Sequence, residues 1–471
     1  MTQRVFAPAF PGADRELTSD SSDSGLASEL NYSTGDLVMR SILFGAAALM
    51  LLASGGVRAQ DSTSLSASQR SEIVNAAADA VAENFFDSGR GAEIAAGLRS
   101  QLESGGFDAA GTAGDLASAL TAALHPHDNH FAVRMAPPRP QGSPDGEPGG
   151  GEAAWLAAMA RSNYGFQEVS ILPGNVGYID MRSFAPAQVG GDTALAALNF
   201  VENTDAVIFD MRQNTGGAPS MVQFLISHFL DPREETVINT FVSSAREYPS
   251  ELVALAWLPG ESRPDVPLYV LTSARTGSAG EAFPYHLQAM ERATIVGETT
   301  YGAGNPGGFH PLPGGLEIFV SDGSARNPIT GTNWEGTGVI PDVDVPADAA
   351  LDTALVLAYE RILETLDDPA QRRGLEWAGE AIEARRTPVG LDGALAYEGV
   401  YGPRRVYFEE GTLFYQRQGG PALRLLPLGG DRFMLDGVDD VRVVFSREGD
   451  AVTGLTIQSL DRPDSLSPRT E

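Results

Sequence analysis

Cysteine and lysine are both missing from this chain of 471 residues. Without cysteine, the protein has neither structural disulfides nor metal sites built on thiolates. Without lysine, it cannot form a Schiff base on a lysine side chain, and a Ser–Lys catalytic pair is also excluded. Any serine nucleophile in this sequence must therefore take its base from another residue type.

Positive charge is scarce in general, since 32 Lys and Arg residues face 62 Asp and Glu residues and the formal net charge is −30. Such an acidic surface repels phosphate backbones, so we do not expect nucleic acid as a partner. Solubility or adaptation to salt accounts for the charge without a functional role. Hydrophobic residues make up 42% of the chain, enough for a sizeable core, and the length predicts about two to four structural units.

The apolar run near the N-terminus, Ile42 to Ala53, is shorter than the roughly 20 residues of a membrane span. It follows Met39-Arg40 and precedes Val57-Arg58-Ala59, a pattern typical of a secretory signal peptide. We therefore predict a non-native or disordered extension at 1–38 and a signal peptide at 39–59 that is cut after Ala59. The mature protein would be periplasmic or secreted, with no stable membrane insertion after cleavage. A retained N-terminal anchor is the alternative.

Hydrophobic patterns divide the rest of the chain into an α-helical, an α/β and a β-rich part. Apolar residues recur at helical spacing up to residue 124, with Ser68 as a candidate cap of the first helix. From about residue 167, buried-type strands such as Ala206–Asp210 alternate with helices, which predicts βαβ units in an α/β core. The predicted parts are an N-terminal helical subdomain at 60–135, a Pro/Gly-rich linker at 136–166, the α/β core at 167–368, a connector at 369–392 and a small C-terminal all-β domain with its tail at 393–471.

Ser278 lies where a strand, a glycine turn and a helix follow one another, in Leu271-Thr-Ser-Ala-Arg-Thr-Gly-Ser278-Ala-Gly-Glu281. A serine at a helix N-terminus has free backbone N–H groups and the positive end of the helix dipole beside it, and both favour a developing oxyanion. Ser278 is therefore a candidate nucleophile. The alternative is that it only caps the helix, as serines commonly do.

A base for this serine must come from the histidines, which are His125, His127, His130, His228, His286 and His310. Three of them cluster in His125-Pro-His-Asp-Asn-His130, a pattern that could bind zinc, although no His-Glu-x-x-His motif accompanies it. The alternative is that these are polar loop residues. We interpret His228 and His286 as packing residues of predicted helices.

Two glycine-containing loops supply further candidates. In Asp210-Met-Arg212-Gln-Asn-Thr-Gly216-Gly217, the glycines would let the backbone approach a ligand. A tight turn in which Arg212 pairs with a carboxylate is the alternative. In the second loop, Glu335 follows Trp334 and could orient a histidine as the third member of a triad, or it could be a surface carboxylate.

Four motifs follow one another along the chain. They are Asp210-Met-Arg-x-Asn-x-Gly-Gly217, Thr276-Gly-Ser278-Ala-Gly-Glu281, Val296-Gly-Glu-Thr-Thr-Tyr-Gly302-Ala-Gly304-Asn-Pro-Gly307 and Asn333-Trp-Glu335-Gly-x-Gly-Val-x-Pro-Asp342. In this order they resemble the serine peptidase clan of the tail-specific (C-terminal processing) proteases, the tricorn core and interphotoreceptor retinoid-binding protein. The resemblance covers roughly residues 65–365 and implies a ClpP/crotonase-like α/β core.

Two departures indicate a branch of this clan. Ala303 stands where tail-specific proteases have a lysine, and the segment between His130 and Gly177 has no pattern of a PDZ domain. The chain is therefore more similar to the retinoid-binding-protein/tricorn-like branch, for which a Ser–His–Glu arrangement is implied. Asp128-Asn129-His130 matches the Asp-x-His segment of that branch, with Asn129 in place of an assisting serine.

The resemblance thus implies an exported serine-type peptidase of the Ser-His-Glu type that acts on a peptide or protein substrate. Its catalytic residues would be Ser278, His130 and Glu335, and its oxyanion hole would use Gly216, Gly217 and Ala279. No metal and no cofactor are expected, and the oligomeric state stays open. The alternatives are a non-catalytic binding protein for an apolar ligand and a zinc hydrolase that uses His125, His127 and His130.

Overall fold

A computed structural model describes residues 64–137, 150–243, 248–386 and 393–470 of the chain. The predicted extension at 1–38 and the predicted signal peptide at 39–59 lie outside these residues, so both stay predictions. Among the described residues, no helix combines the length and the apolar character that crossing a membrane would require.

Three helices and a strand form the N-terminal part: α1 (Ala67–Asn84), α2 (Ser88–Glu103), α3 (Ala113–Leu124) and β1 (Ala132–Met135). Buried aliphatic and aromatic side chains from all of these elements pack into one hydrophobic cluster. Ser66, not Ser68, caps α1. The side chain of Ser66 accepts a hydrogen bond from the amide of Gln69, and the side chain of Gln69 accepts one from the amide of Ser66. The loop between α3 and β1 carries His130.

The segment that the sequence analysis interprets as a linker, 136–166, contains a helix, α4 (Gly150–Arg161). Ala, Leu and Met dominate the second half of this segment and favour a helix. The Pro/Gly-rich composition of the first half obscured this signal, and residues 138–149 lie outside the described part of the chain.

The α/β core follows α4. Its elements, in chain order, are β2 (Phe166–Leu172), β3 (Val176–Met181), α5 (Ala187–Phe200), β4 (Ala206–Asp210), α6 (Pro219–Ser227), β5 (Val237–Val242), β6 (Ser250–Val253), β7 (Leu268–Thr272), α7 (Ala279–Ala289), β8 (Thr294–Gly297), β9 (Gly307–Leu312), β10 (Leu316–Ser321), β11 (Ser324–Arg326), β12 (Val343–Asp344) and α8 (Ala350–Leu363).

A six-stranded sheet in the order β12-β8-β7-β4-β3-β2 forms the centre of this core. Its strands pair in parallel, except that β2 is antiparallel to β3. On one face, α5, α6 and α7 pack around Phe209 and Val270, and on the other α8 packs on Ile208 and Leu271. Because both faces are covered, β4 and β7 are buried over their whole length.

The carboxyl ends of β4, β7 and β8 lead into the three segments that carry the candidate site residues. Because these neighbouring strands are parallel, the three segments lie along one edge of the sheet. The edge thus brings together the glycine pair after β4, the serine turn after β7 and the glycine-rich segment after β8.

Two further sheets, β1-β10-β9 and β11-β5-β6, have three strands each. In the first, β1 pairs antiparallel with β10, with Val133 opposite Ile318. This pairing joins the N-terminal helices, and with them the loop of His130, to the α/β core.

The C-terminal part begins with α9 (Pro369–Arg386), which lies in the predicted connector and packs against α8. A meander of eight strands follows: β13 (Gly399–Tyr401), β14 (Arg404–Glu409), β15 (Thr412–Arg417), β16 (Ala422–Gly429), β17 (Arg432–Leu435), β18 (Val438–Glu448), β19 (Ala451–Ser459) and β20 (Ser465–Pro468). The amide of Thr470 donates to the carbonyl of Val400 at 2.8 Å, which joins the two ends of the sheet into an up-and-down barrel. The prediction of a C-terminal all-β part is confirmed.

A buried arginine attaches this barrel to α9. The side chain of Arg442, on β18, is fully buried and donates to the carboxylate of Glu380 at 3.2 Å and to the carbonyl of Trp377 at 2.5 Å. Its guanidinium also lies over the Trp377 ring, 4.5 Å from the ring centre.

Candidate active site

Ser278 lies at the sharp turn between β7 and α7. Its backbone has φ 56° and ψ −125°, a conformation that is costly for any residue with a side chain and that is typical of strained positions at functional sites. The turn is held from the β4 side, because the hydroxyl of Thr276 donates to the carbonyl of Met211 at 2.9 Å and the amide of Gly277 donates to the carbonyl of Asn214 at 3.0 Å.

A buried carboxylate, Glu281, lies beneath this turn. It accepts hydrogen bonds from the amides of Ser278 (2.8 Å), Gly302 (2.6 Å) and Ala303 (2.9 Å) and from the hydroxyl of Thr300 (2.5 Å). Burial raises the pKa of Glu281 to about 7, and these four donors act in the opposite direction. The carboxylate therefore ties the turn of Ser278 to the segment after β8.

The glycine pair after β4 lies directly against Ser278. Gly216 has φ 107°, and a Cβ atom there would lie 2.8 Å from the Cβ of Ser278 and 3.2 Å from the amide nitrogen of Ala279. The amide of Gly216 donates to the side chain of Asn214 at 2.9 Å. The amides of Gly217 and Ala279 donate to no group among the described residues, so these two are available to bind an oxyanion.

Arg212 pairs with a carboxylate in a tight turn, which is the alternative interpretation of this segment. Its guanidinium donates to the carboxylate of Asp210, with Nε 2.9 Å from Oδ1, and the hydroxyl of Tyr178 donates to the same carboxylate. This pairing shapes the turn that presents the two glycines.

His130 and Glu335 come together from distant parts of the sequence. The Nδ1 atom of His130 lies 3.9 Å from Oε2 of Glu335, and the imidazole stacks on the ring of Phe319 with 5.5 Å between ring centres. Nδ1 is buried and has no hydrogen-bond partner in the described structure. Burial lowers the pKa of His130, and the charge of Asp128 opposes this effect.

Backbone amides hold the carboxylate of Glu335. The amide of Asn129 donates to Oε1 at 2.7 Å, and the amides of Gly304 and Asn305 donate to Oε2 at 2.6 and 3.2 Å. Burial, together with the negative charge of Asp128, raises the pKa of Glu335 to about 7, and the three amides act in the opposite direction.

The segment from Tyr301 to Asn305 connects the serine turn with the histidine loop. On one side, the amide of Tyr301 donates to the carbonyl of Thr276 at 3.0 Å. On the other, the side chain of Asn129 donates to the carbonyl of Gly302 at 3.0 Å. Ala303 is buried in this segment and its carbonyl accepts a hydrogen bond from the indole N–H of Trp334. No hydrogen bond joins the hydroxyl of Ser278 to the His130 ring among the residues described.

The other histidines do not join this site. The Nδ1 atom of His127 lies 3.1 Å from the guanidinium of Arg90, which disfavours a metal ion there. His228 and His286 are buried in the core. The ring nitrogens of His228 form hydrogen bonds with backbone carbonyls, and Nδ1 of His286 forms one with the side chain of Asn327. Within the described residues, the His, Asp and Glu side chains placed closely enough to share a metal ion are Asp128, His130 and Glu335, not the three histidines of the sequence cluster.

Sequence reasoning assigned no role to Glu281 or Asp128. Glu281 follows Ser278 by three residues, the spacing at which an acidic side chain reaches back to the first amide of a helix. Asp128 accepts from the amide of His130 at 2.8 Å and from the side chain of Asn305 at 3.0 Å. The sequence carries no comparable local signal for the second of these contacts.

Comparison with known proteins agrees with the motifs. Residues 175–345 match the sequence model of a family described as peptidase family S41. The carboxyl-terminal-processing protease of Picosynechococcus sp. is 28% identical over 197 residues, which are 41% of this chain and 45% of that protein. The enzyme of the same name from Synechocystis sp. is 30% identical over 196 residues, 39% of this chain and 44% of that protein.

The matched segment thus spans less than half the length of these relatives. Among solved structures, a putative peptidase from Parabacteroides merdae is similar with a TM-score of 0.43 and 18% identity, over 62% of this chain and 97% of that one. The predicted resemblance to the serine peptidase clan is confirmed, whereas the narrower placement in the retinoid-binding-protein/tricorn-like branch stays a prediction. Residues 175–345, within the α/β core, are thus similar to peptidase family S41.

Proposed function

We propose that this chain is an exported serine-type peptidase that hydrolyses peptide bonds by acyl transfer through Ser278, with His130 as the base and Glu335 as its orienter. The observation that supports this most is the placement of Ser278. Its side chain stands on a strained turn at a helix start, against a glycine pair and two amides that make no other hydrogen bond within the described ranges. This is the arrangement that acyl transfer requires of a nucleophile and its oxyanion donors.

In the first step, the neutral imidazole of His130 takes the hydroxyl proton of Ser278 as its oxygen attacks the substrate carbonyl. The burial that lowers the pKa of His130 keeps its ring neutral and able to act as a base at pH 7. The carboxylate of Glu335 stabilises the imidazolium that forms, once the 3.9 Å between Nδ1 and Oε2 closes to a hydrogen bond.

The amides of Ala279 and Gly217 hold the oxyanion of the tetrahedral intermediate. Because Gly216 has no side chain, there is room for this oxyanion beside Ser278. His130 then gives its proton to the leaving amine, and the acyl group stays on Ser278. A water molecule, deprotonated by His130, releases the acyl group and restores the hydroxyl.

Export is a further part of the proposal, supported by the signal-peptide pattern at 39–59. Expression of the whole chain in a bacterium tests it. We expect a periplasmic or secreted protein whose N-terminus is Gln60, whereas a full-length cytoplasmic product would contradict export.

Cleavage of a peptide library by the wild type and Ser278→Ala, together with labelling by a fluorophosphonate probe, tests the chemistry. Ser118→Ala, at an exposed position of α3, is a matched control. We expect Ser278→Ala to lose both cleavage and labelling, and Ser118→Ala to keep both. Cleavage that survives in Ser278→Ala would refute the assignment, and a wild type that neither cleaves nor reacts would favour a binding protein.

A further inference from the structure

We propose that Asp128, His130 and Glu335 form a binding site for a divalent transition-metal ion of the zinc type, and that an ion bound there stops the acyl transfer. The inhibitory part rests on the function proposed above, whereas the binding part does not. Each of the three side chains offers one nitrogen or oxygen atom, and these atoms all lie within 4.8 Å of one another.

The distances fit a metal ion better than they fit a direct hydrogen bond. The 3.9 Å between Nδ1 of His130 and Oε2 of Glu335 is too long for a hydrogen bond. Zinc takes ligands at about 2.0–2.2 Å in tetrahedral geometry, which places two ligand atoms about 3.4 Å apart. A small inward movement of either side chain would therefore bring these two atoms to the separation of two zinc ligands.

An unsatisfied ligand atom points into this cluster. Nδ1 of His130 is buried without a hydrogen-bond partner in the described structure, and the imidazole side chain is only 10% exposed. A buried polar atom without a partner calls for an explanation, and coordination of a metal ion by that atom would supply one.

The charge balance points the same way. Two carboxylates lie here, and in the described part of the chain their hydrogen-bond partners are amides while no guanidinium pairs with either. A divalent cation would supply the missing positive charge. The amides of Gly304 and Asn305 would then orient the Glu335 carboxylate, as outer hydrogen bonds orient the ligands of metal sites.

An ion on Nδ1 would remove the base. Imidazole has one lone pair in its neutral form, and coordination through Nδ1 uses that pair while the ring proton stays on Nε2. Such a ring cannot accept the proton of Ser278. The same ion also occupies the Glu335 carboxylate, which is then lost as the orienter.

Cobalt(II) titration followed by visible absorption tests the binding, because tetrahedral Co²⁺ absorbs strongly and replaces Zn²⁺ in such sites. Ser278→Ala is the protein to use, since it keeps all three ligands and removes catalysis. We expect saturable binding of one ion, weakened about 10–100-fold or more in Asp128→Asn and in Glu335→Gln. The matched control, His125→Gln with His127→Gln, should bind as the parent does. Absence of saturable binding, or equal loss in the control, would overturn the proposal.

Fluorophosphonate labelling of the wild type tests the inhibition. We expect Zn²⁺ to slow the labelling of Ser278 and a chelator to restore it, with Asp128→Asn requiring about 10–100-fold more Zn²⁺. A labelling rate that stays unchanged at Zn²⁺ concentrations sufficient to saturate the cobalt site would overturn the inhibitory role. If Co²⁺ binds but Ser278 never reacts, the peptidase proposal fails and the metal site stands. If Ser278 reacts and no Co²⁺ binds, the metal-site proposal fails and the peptidase proposal stands.

Discussion

Replacing Glu281 with glutamine tests whether the carboxylate beneath the Ser278 turn sets the pH dependence of stability. The side chain is fully buried, and burial raises its pKa from 4.5 to about 7. One pKa unit corresponds to about 1.4 kcal/mol of free energy. The shift therefore corresponds to about 3 kcal/mol of unfolding free energy between the two ends of this pH range.

The sign follows from proton binding. Between pH 4.5 and 7, the folded protein holds a proton on Glu281 that the unfolded chain has already released. The free energy of unfolding therefore falls as the pH rises through this window and is level above it. Glutamine does not titrate, so the variant lacks this contribution.

Glutamine also disturbs the hydrogen bonds. One oxygen of Glu281 accepts from the hydroxyl of Thr300 and the amide of Gly302, while the other accepts from the amides of Ser278 and Ala303. An NH₂ group in place of either oxygen faces at least one N–H, which costs about 1–3 kcal/mol. At about pH 4.5 we expect Glu281→Gln to be less stable than the wild type by that amount, and at about pH 8 the gap shrinks by about 3 kcal/mol.

Urea unfolding, followed by tryptophan fluorescence at several pH values, measures this gap. The difference between the two proteins cancels the groups that they share, Glu335 included. Glu72→Gln, at an exposed position of α1, is the control and should follow the wild type throughout. A gap between Glu281→Gln and the wild type that stays constant from about pH 4.5 to 8 would refute the reasoning.

Two further substitutions test the glycine pair and the attachment of the barrel. Gly216→Ala would place a Cβ atom 2.8 Å from that of Ser278, and we expect kcat/KM for a peptide substrate to fall about 10²–10³-fold; retention of most of the activity would contradict the crowding. Arg442→Ala leaves the carbonyls of Trp377 and Asp439 without their buried donor, while Glu380 keeps its pair with Arg432, and we expect urea unfolding to show a loss of about 1–3 kcal/mol. Arg233→Ala, whose side chain is 86% exposed, should leave the unfolding midpoint unchanged.

The central sheet was predictable because buried parallel strands leave continuous apolar runs. The predicted strand at 206–210 and β4 have the same bounds. Helix starts are harder to place from the sequence: α5 begins at Ala187, but Gly190 and Gly191 weaken the helical signal of its first turns. The helix α4 was missed because the glycine and proline residues before it dominated the composition.

The candidate site was predictable only where chemistry and local structure coincide. Ser278 was recognised because a serine that follows a strand and a glycine turn lies at a helix N-terminus, where free amides favour an oxyanion. The occupation of the Gly216 amide by Asn214 depends on the path of the whole turn, which no local pattern encodes. The group of Asp128, His130 and Glu335 joins positions more than 200 residues apart, so its geometry needed the fold.

The backbone of Ser278 also limits which nucleophiles the position accepts. At φ 56°, a side chain that branches at Cβ is considerably more strained than an unbranched one. The main chain of Gly216 also approaches closely, since a Cβ atom added there would lie 2.8 Å from the Cβ of Ser278. Cysteine could thus replace the serine with the main chain in place, whereas threonine could not, so the shape of the turn excludes one of the common hydroxyl nucleophiles before reactivity is considered.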